Sequence, residues 1–130
     1  MARYLLAAGS LALLVGAAHS LLGEVLIFRR LRSGSLVPGL NAPPLEERHI
    51  RILWATWHLA TVLGWALAAV LLRLSFPVSH SSPTLFVLNA ISLAFLGGAS
   101  LVLVATNGRH PGWVGLAGVA VLTWLAASAA

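Results

Sequence analysis

Arg51-Ile-Leu-Trp-Ala-Thr-Trp-His-Leu-Ala-Thr-Val-Leu-Gly-Trp65 is apolar enough to enter a lipid bilayer, yet it carries a histidine, His58, at its centre. One set of its side chains recurs at alternating steps of three and four residues: Arg51, Trp54, His58, Thr61 and Trp65. In a helix these positions line one face. Because an ionisable side chain is costly to bury in a membrane, this face is the first candidate for a functional site.

The composition of the whole chain indicates an integral membrane protein. Of its 130 residues, 59% are hydrophobic and 8% are charged, whereas soluble domains average about 25% charged residues. The length fits a single domain over residues 1–130. There is no cysteine and Met1 is the only methionine, which excludes disulfides, thiolate metal sites and a methionine-rich copper site.

Four apolar segments predict an all-α integral membrane fold, an antiparallel four-transmembrane-helix bundle. The segments cover about residues 4–28, 50–72, 84–106 and 113–129, with a cytoplasmic loop at about 29–49. At about 1.5 Å per residue, a segment such as 4–28 is long enough to cross a hydrocarbon core of roughly 30 Å. That segment is too long for the apolar region of a signal peptide, so we expect it to be a membrane span.

Small residues predict where the helices approach each other. Gly9, Gly16 and Gly23 recur every seven residues in the first segment, which favours close helix packing and would turn His19 toward the bundle. The fourth segment has a similar set of glycines, for which we expect close backbone approach: Gly112, Gly115 and Gly118.

The helix ends are predicted from proline, glycine and capping residues. The second helix is expected to begin near Pro44, with Glu46 and Glu47 at the positive end of its dipole. Residues 75–83 are predicted to form a turn in which Ser82 caps the third helix.

The distribution of arginine predicts the orientation. Six arginines lie in the first and third connections: Arg29, Arg30, Arg32, Arg48, Arg51 and Arg109. Only Arg3 and Arg73 lie on the opposite side. The positive-inside rule places the arginine-rich side in the cytoplasm and both termini outside. Arginine beside apolar spans also indicates a lipid bilayer, not nucleic acid, as the partner of this basic chain, and the absence of lysine suggests a GC-rich bacterial genome and hence a bacterial inner (plasma) membrane.

Three ionisable side chains are predicted to lie near one depth. His19 precedes Arg29 by ten residues and His58 follows Arg48 by ten, so in antiparallel helices both imidazoles would lie in the cytoplasmic half. Glu24 lies nearer the cytoplasm, about 140° around its helix from His19. It could meet the second helix or the third connection.

These side chains suit a divalent metal ion or haem b as cofactor. His19, Glu24, His58 and His110 are the candidate metal ligands, because His₂Glu is an established zinc set and imidazole also binds iron, copper and nickel. His19 and His58 could instead be axial ligands of a haem, which needs a wider gap than the usual 8–10 Å between adjacent helices. Further polar and aromatic residues would support the site: Arg51, Trp54, Thr61, Trp65, Asn107 and Arg109.

Two other functions use the same residues. Histidine titrates near neutral pH, so the site could serve a proton-coupled or small-solute transport subunit. Four short helices enclose little space, so such a subunit would belong to a homo-oligomer or a larger membrane complex. Alternatively, the histidines and Glu24 could form only structural hydrogen bonds and ion pairs in a membrane subunit that has no ligand. No nucleophile–base–orienter set is visible, which disfavours an independent hydrolase; whether the chain is an enzyme of another kind is left open.

Three motifs carry a family resemblance. Gly16-Ala-Ala-His-Ser-Leu-Leu-Gly-Glu24, Trp54-Ala-Thr-Trp-His58 and Gly108-Arg-His-Pro-Gly-Trp113 resemble segments of a group of short, uncharacterised four-helix bacterial membrane proteins. The resemblance implies four spans and no particular activity. Membrane-associated glutathione transferases have a similar size and span number, but their arginine- and asparagine-rich second-helix pattern is missing here.

Overall fold

The computed structural model describes residues 2–76 and 83–129, and this part of the chain is all-α. It contains α1 (Ala2–Leu26), a 3₁₀ helix (Phe28–Leu31), α2 (Glu47–Ser75), α3 (Pro83–Thr106) and α4 (Gly112–Ser128). Within it, α1, α2 and α3 are long and apolar enough to cross a membrane, whereas α4 is apolar but has 17 residues. The fold therefore fits an all-α membrane protein. Ser82 and most of the predicted turn at 75–83 lie outside the described residues.

The helices pack in series, each against the next one in the chain. α1 packs along α2, α2 also packs along α3, and α3 also packs along α4. Gly9 lies beside Leu72 while Gly23 lies beside Trp57, so α1 and α2 are antiparallel. In the described residues no comparably extensive contact joins α1 to α3 or α4, or α2 to α4. The four helices therefore form an open row in which α1 and α4 are the two ends.

The predicted glycine seam of α1 does face α2, but tryptophan indoles fill most of it. A Cβ added at Gly16 would lie 2.6 Å from Nε1 of Trp65, and one added at Gly23 would overlap the indole of Trp57. Each indole N–H donates to a backbone carbonyl of α1, Trp57 to His19 at 3.0 Å and Trp65 to Leu13 at 3.1 Å. The missing side chains thus let α2 form hydrogen bonds to the backbone of α1.

The start of α2 differs from the prediction. The helix begins at Glu47 and not near Pro44, because Glu46 is its N-cap and forms a reciprocal capping box with His49. Glu46 accepts the backbone N–H of His49, whose side chain accepts the backbone N–H of Glu46 at 3.2 Å. Both glutamates are exposed, as the sequence predicted.

The connection between α3 and α4 is a tight turn. Asn107 and Gly108 have φ angles of 51° and 75°, and the N–H of Gly108 donates to the carbonyl of Leu103 at 2.9 Å. Residues with this left-handed conformation end helices by satisfying free carbonyl groups. In α4, however, a Cβ at Gly115 or Gly118 would meet nothing within 4 Å, so the predicted close backbone approach at these two glycines is wrong.

A buried hydrophobic cluster lies at the end of the molecule that carries the 28–46 segment. Phe28 and Val37 from that segment pack against Trp54 and Ala55 of α2, and against Val102 and Ala105 of α3. The segment therefore covers the arginine-rich end of the α1–α2 and α2–α3 interfaces, where most of the predicted site residues lie.

Candidate functional site

A chain of hydrogen bonds links α1 to α2 at the level of His58. Oγ of Ser20 lies 2.8 Å from Nδ1 of His58 and 2.8 Å from Oγ1 of Thr61, and Oγ1 of Thr61 lies 3.3 Å from the carbonyl oxygen of Gly16. Thr61 is 4% exposed. The polar side chains of this chain of hydrogen bonds are therefore paired with one another, and Thr61 is shielded from solvent.

The carbonyl group at the end of this chain determines which group is the donor in each of its hydrogen bonds. A carbonyl oxygen only accepts, so Thr61 donates to Gly16 and must accept from Ser20. Ser20 has then used its only hydrogen, so Nδ1 of His58 must be the donor to Ser20. His58 consequently carries a proton on Nδ1, and its Nε2 is a bare acceptor whenever the ring is neutral.

Glu24 faces that bare nitrogen from the last turns of α1. Its Oε2 lies 3.7 Å from Nε2 of His58 and accepts the indole N–H of Trp54 at 3.3 Å. Its Oε1 forms an ion pair of 2.6 Å with the guanidinium of Arg32, which reaches back from the loop. The side chains of Glu24 and Arg32 are about a quarter exposed and that of His58 is 18% exposed. The Glu24–Arg32 ion pair and the imidazole beside it are therefore partly shielded from water.

Two acceptors therefore face each other across 3.7 Å. A neutral imidazole with its proton on Nδ1 and an ionised carboxylate both present lone pairs there, and this contact becomes favourable only when a proton is bound between them. The ring of Trp54 lies edge-on to His58 with centroids 4.9 Å apart, and Phe28 lies 6.2 Å away. The contact would therefore be stabilised by one proton held between Nε2 of His58 and Oε2 of Glu24.

His19 lies at the same level but outside this network. Its ring stacks on the indole of Trp57 with centroids 4.3 Å apart and planes 8° from parallel. Its Nε2 is buried and has no hydrogen-bond partner among residues 2–76 and 83–129. The two histidines thus occupy neighbouring positions along the α1–α2 interface, one stacked and one hydrogen-bonded.

The remaining predicted residues lie elsewhere. Trp65 bonds α1 one helix turn beyond Thr61 and is 42% exposed. Arg51 does not reach Glu24, because Nε donates to the carbonyl of Ala105 and Nη1 lies 3.3 Å from Glu47. Three predicted residues line a separate polar cavity with the start of α2: Asn107, Arg109 and His110.

The predicted metal ligands do not form a cluster in the part of the chain that the structure describes. Across residues 2–76 and 83–129, no group of three histidine or acidic side chains is arranged to hold a metal ion. His110 lies in the turn before α4, where Nδ1 accepts the N–H of Gly112 at 3.0 Å. Metal and haem binding at His19, Glu24 and His58 stay predictions.

Three residues of this site were not singled out from the sequence: Ser20, Arg32 and Trp57. Ser20 lies four residues before Glu24, on the same helix face, and this spacing was the available signal. Trp57 of α2 packs against the glycine seam of α1, which the sequence predicted only as a face for close helix packing. The pairing of Arg32 depends on how the loop folds back, for which the sequence offers no local signal.

Comparison of the chain with protein-family models, with curated proteins and with solved structures gave no match. The interpretation of the site therefore depends on its own geometry.

Proposed function

We propose that this chain is a proton-coupled transport subunit in which His58 and Glu24 form the proton-binding site. The proposal includes four membrane spans in a bacterial inner membrane, with the arginine-rich end in the cytoplasm and both termini outside. The observation that carries it is the contact between Nε2 of His58 and Oε2 of Glu24, two acceptors 3.7 Å apart at a partly buried site. An ionisable pair is costly to place inside membrane-spanning helices, so such a pair commonly marks a functional site.

The direction of the hydrogen bonds supports proton coupling over an open proton channel. A proton that reaches Nε2 of His58 turns the facing acceptors into an imidazolium–carboxylate pair. Beyond His58, the chain through Ser20 and Thr61 ends at the carbonyl of Gly16, which has no hydrogen to pass on. The site therefore loads and releases its proton on the side of Glu24, and coupling requires a change of conformation or a bound solute.

Counting bound protons tests the site directly. Purified protein in detergent is titrated from about pH 8 to pH 5, where histidine changes charge, in parallel with His58→Gln and with His110→Gln as the control histidine. We expect His58→Gln to take up about one proton per chain less than the wild type, because its site has lost the accepting nitrogen. His110→Gln also removes an imidazole and so changes the proton count itself. For this reason Glu24→Gln, which keeps every histidine, is compared as well.

Glu24→Gln separates a coupled site from an isolated histidine. In this variant we expect the uptake at His58 to move to lower pH, because the carboxylate that stabilises the imidazolium is absent. In liposomes loaded with a pH-sensitive dye, both His58→Gln and Glu24→Gln should slow the decay of an imposed pH gradient, while His110→Gln should not. Equal flux in all four proteins, together with uptake at His58 that does not move in Glu24→Gln, would contradict the proposal and favour a purely structural subunit.

A divalent metal ion or haem b is the second candidate function. The observation that favours it is the buried Nε2 of His19, for which the described part of the chain offers no hydrogen-bond partner and which could therefore act as a ligand beside His58 and Glu24. An absorption spectrum with elemental analysis of the purified protein, repeated after reconstitution with Zn²⁺ or haem, tests this. A Soret band or stoichiometric metal that disappears in both His19→Ala and His58→Ala would establish it, and a metal-free, colourless protein would reject it.

A further inference from the structure

A second polar region lies between the first turn of α2 and the turn that joins α3 to α4. It is an open cavity of about 750 Å³. Three arginines and two histidines contribute to its lining: Arg48, Arg51, Arg109, His49 and His110. The proton site of His58 and Glu24 shares none of these residues, so the cavity is a separate site.

The two histidines are fixed as hydrogen-bond donors. Nδ1 of His49 accepts the backbone N–H of Glu46 at 3.2 Å, and Nδ1 of His110 accepts the backbone N–H of Gly112 at 3.0 Å. A nitrogen that accepts a hydrogen bond carries no proton, so in both rings the proton is on Nε2. Each neutral ring therefore supplies an N–H group that these backbone contacts do not use.

The charges of the cavity do not cancel. Arg48 pairs with Glu46 at 2.9 Å and Arg51 pairs with Glu47 at 3.3 Å. Arg109 forms no ion pair within residues 2–76 and 83–129. One positive charge is therefore left over, together with the two imidazole N–H groups.

Two backbone N–H groups at the start of α2 already have acceptors within the protein. Glu46 accepts the N–H of His49, and Asn41 accepts the N–H of Glu47 at 2.7 Å. What the cavity offers is instead a set of side-chain donors from two elements. Arg51 joins these elements, because Nε donates to the carbonyl of Ala105 near the end of α3.

We propose that this cavity binds a phosphate group, with Arg109, His49 and His110 as its principal donors. A tetrahedral phosphate has several oxygens that accept hydrogen bonds from different directions, and arginine suits it in charge and geometry. The group belongs either to the headgroup of an anionic phospholipid or to a soluble phosphate. Both sources can reach an open cavity at the arginine-rich end of the helices, where anionic headgroups meet basic side chains.

The test compares two probes on delipidated protein in detergent. Phosphatidylglycerol binding is measured by native mass spectrometry against phosphatidylcholine, and inorganic phosphate binding is measured by equilibrium dialysis. The variants are Arg109→Gln, His110→Gln and Arg109→Lys, with Arg30→Gln as a control that removes an exposed cation from the same side of the molecule. Far-UV circular dichroism checks that each variant keeps its helices.

We expect one equivalent of one probe to bind to the wild type, with affinity reduced about tenfold or more in Arg109→Gln. His110→Gln should weaken binding less, Arg109→Lys should keep most of it, and Arg30→Gln should not change it. Selective binding of phosphatidylglycerol assigns the site to a lipid, whereas binding of inorganic phosphate assigns it to a soluble ligand. Binding of neither probe, or an equal loss in Arg30→Gln and Arg109→Gln, overturns the proposal.

Discussion

Replacing Ser20 with alanine removes the centre of the hydrogen-bond chain between α1 and α2. The wild-type hydroxyl lies 2.8 Å from both Nδ1 of His58 and Oγ1 of Thr61. Ser20→Ala leaves the Nδ1 proton of His58 without its acceptor and Thr61 without its donor. The perturbation is small in volume, so its effect reports on the hydrogen bonds and not on packing.

The expected loss follows from the two contacts. A side-chain hydrogen bond between membrane helices contributes about 0.6–2 kcal/mol, and a shielded donor left without a partner adds a cost of its own. We therefore expect the free energy of unfolding to fall by about 1–3 kcal/mol. Ser100→Ala is the matched control, because that exposed hydroxyl only donates to the carbonyl of Leu96 in its own helix.

Reversible unfolding in mixed micelles, followed by circular dichroism and tryptophan fluorescence, measures the loss. Imidazole nitrogen NMR adds a readout that packing alone would not change. In the wild type, Nδ1 of neutral His58 should carry the proton, whereas Ser20→Ala should give a mixture of the two tautomers. If Ser20→Ala and Ser100→Ala agree within about 0.5 kcal/mol and the imidazole signals do not move, the assigned direction of the chain is wrong.

Two further predictions concern the same interface. Gly23→Ala should lower the free energy of unfolding by about 1–3 kcal/mol, because the added methyl group overlaps the Trp57 indole, whereas Gly64→Ala, whose Cβ meets nothing within 4 Å, should leave it unchanged or raise it. Equal effects of the two substitutions in the same unfolding assay would refute this. Arg32→Gln should lower the free energy of unfolding by about 1 kcal/mol, because the ion pair of 2.6 Å with Glu24 is lost. In a double-mutant cycle, the same substitution made in Glu24→Gln should lower the free energy of unfolding much less. Independent, additive effects would show that the two side chains do not interact.

Periodic patterns in the sequence predicted the features that depend on a single helix. The four helical segments follow from long apolar runs, whereas the α2 face with Trp54, His58 and Thr61 and the seam of Gly16 on α1 follow from repeats of three, four or seven residues. Such repeats report directly on helix geometry. The orientation in a membrane is a different kind of prediction, since it depends on charge distribution across a bilayer.

Features that depend on the path of a loop were not predictable in this way. Arg32, directly after the 3₁₀ helix, forms an ion pair with Glu24, and Phe28 at the start of that helix lies 6.2 Å from the ring of His58. Arg51 lies on the predicted face, yet its guanidinium bonds to the end of α3 and so helps to form the separate cavity. The predicted site residues therefore lie at two separate sites, because their positions depend on contacts between distant parts of the chain and not on a local sequence pattern.

The open row of helices makes assembly of this protein directional. Among the described helices, α1 packs extensively only against α2. All the side chains around His58 and Glu24 are therefore present once α2 has been synthesised, and only the contacts of the covering loop with α3 form later. Later helices then add to an interface that already exists, with contacts between chain neighbours throughout, which is the pattern associated with fast folding. The last residue that lines the second cavity is His110, so the His58–Glu24 pair is synthesised before the lining of that cavity is complete.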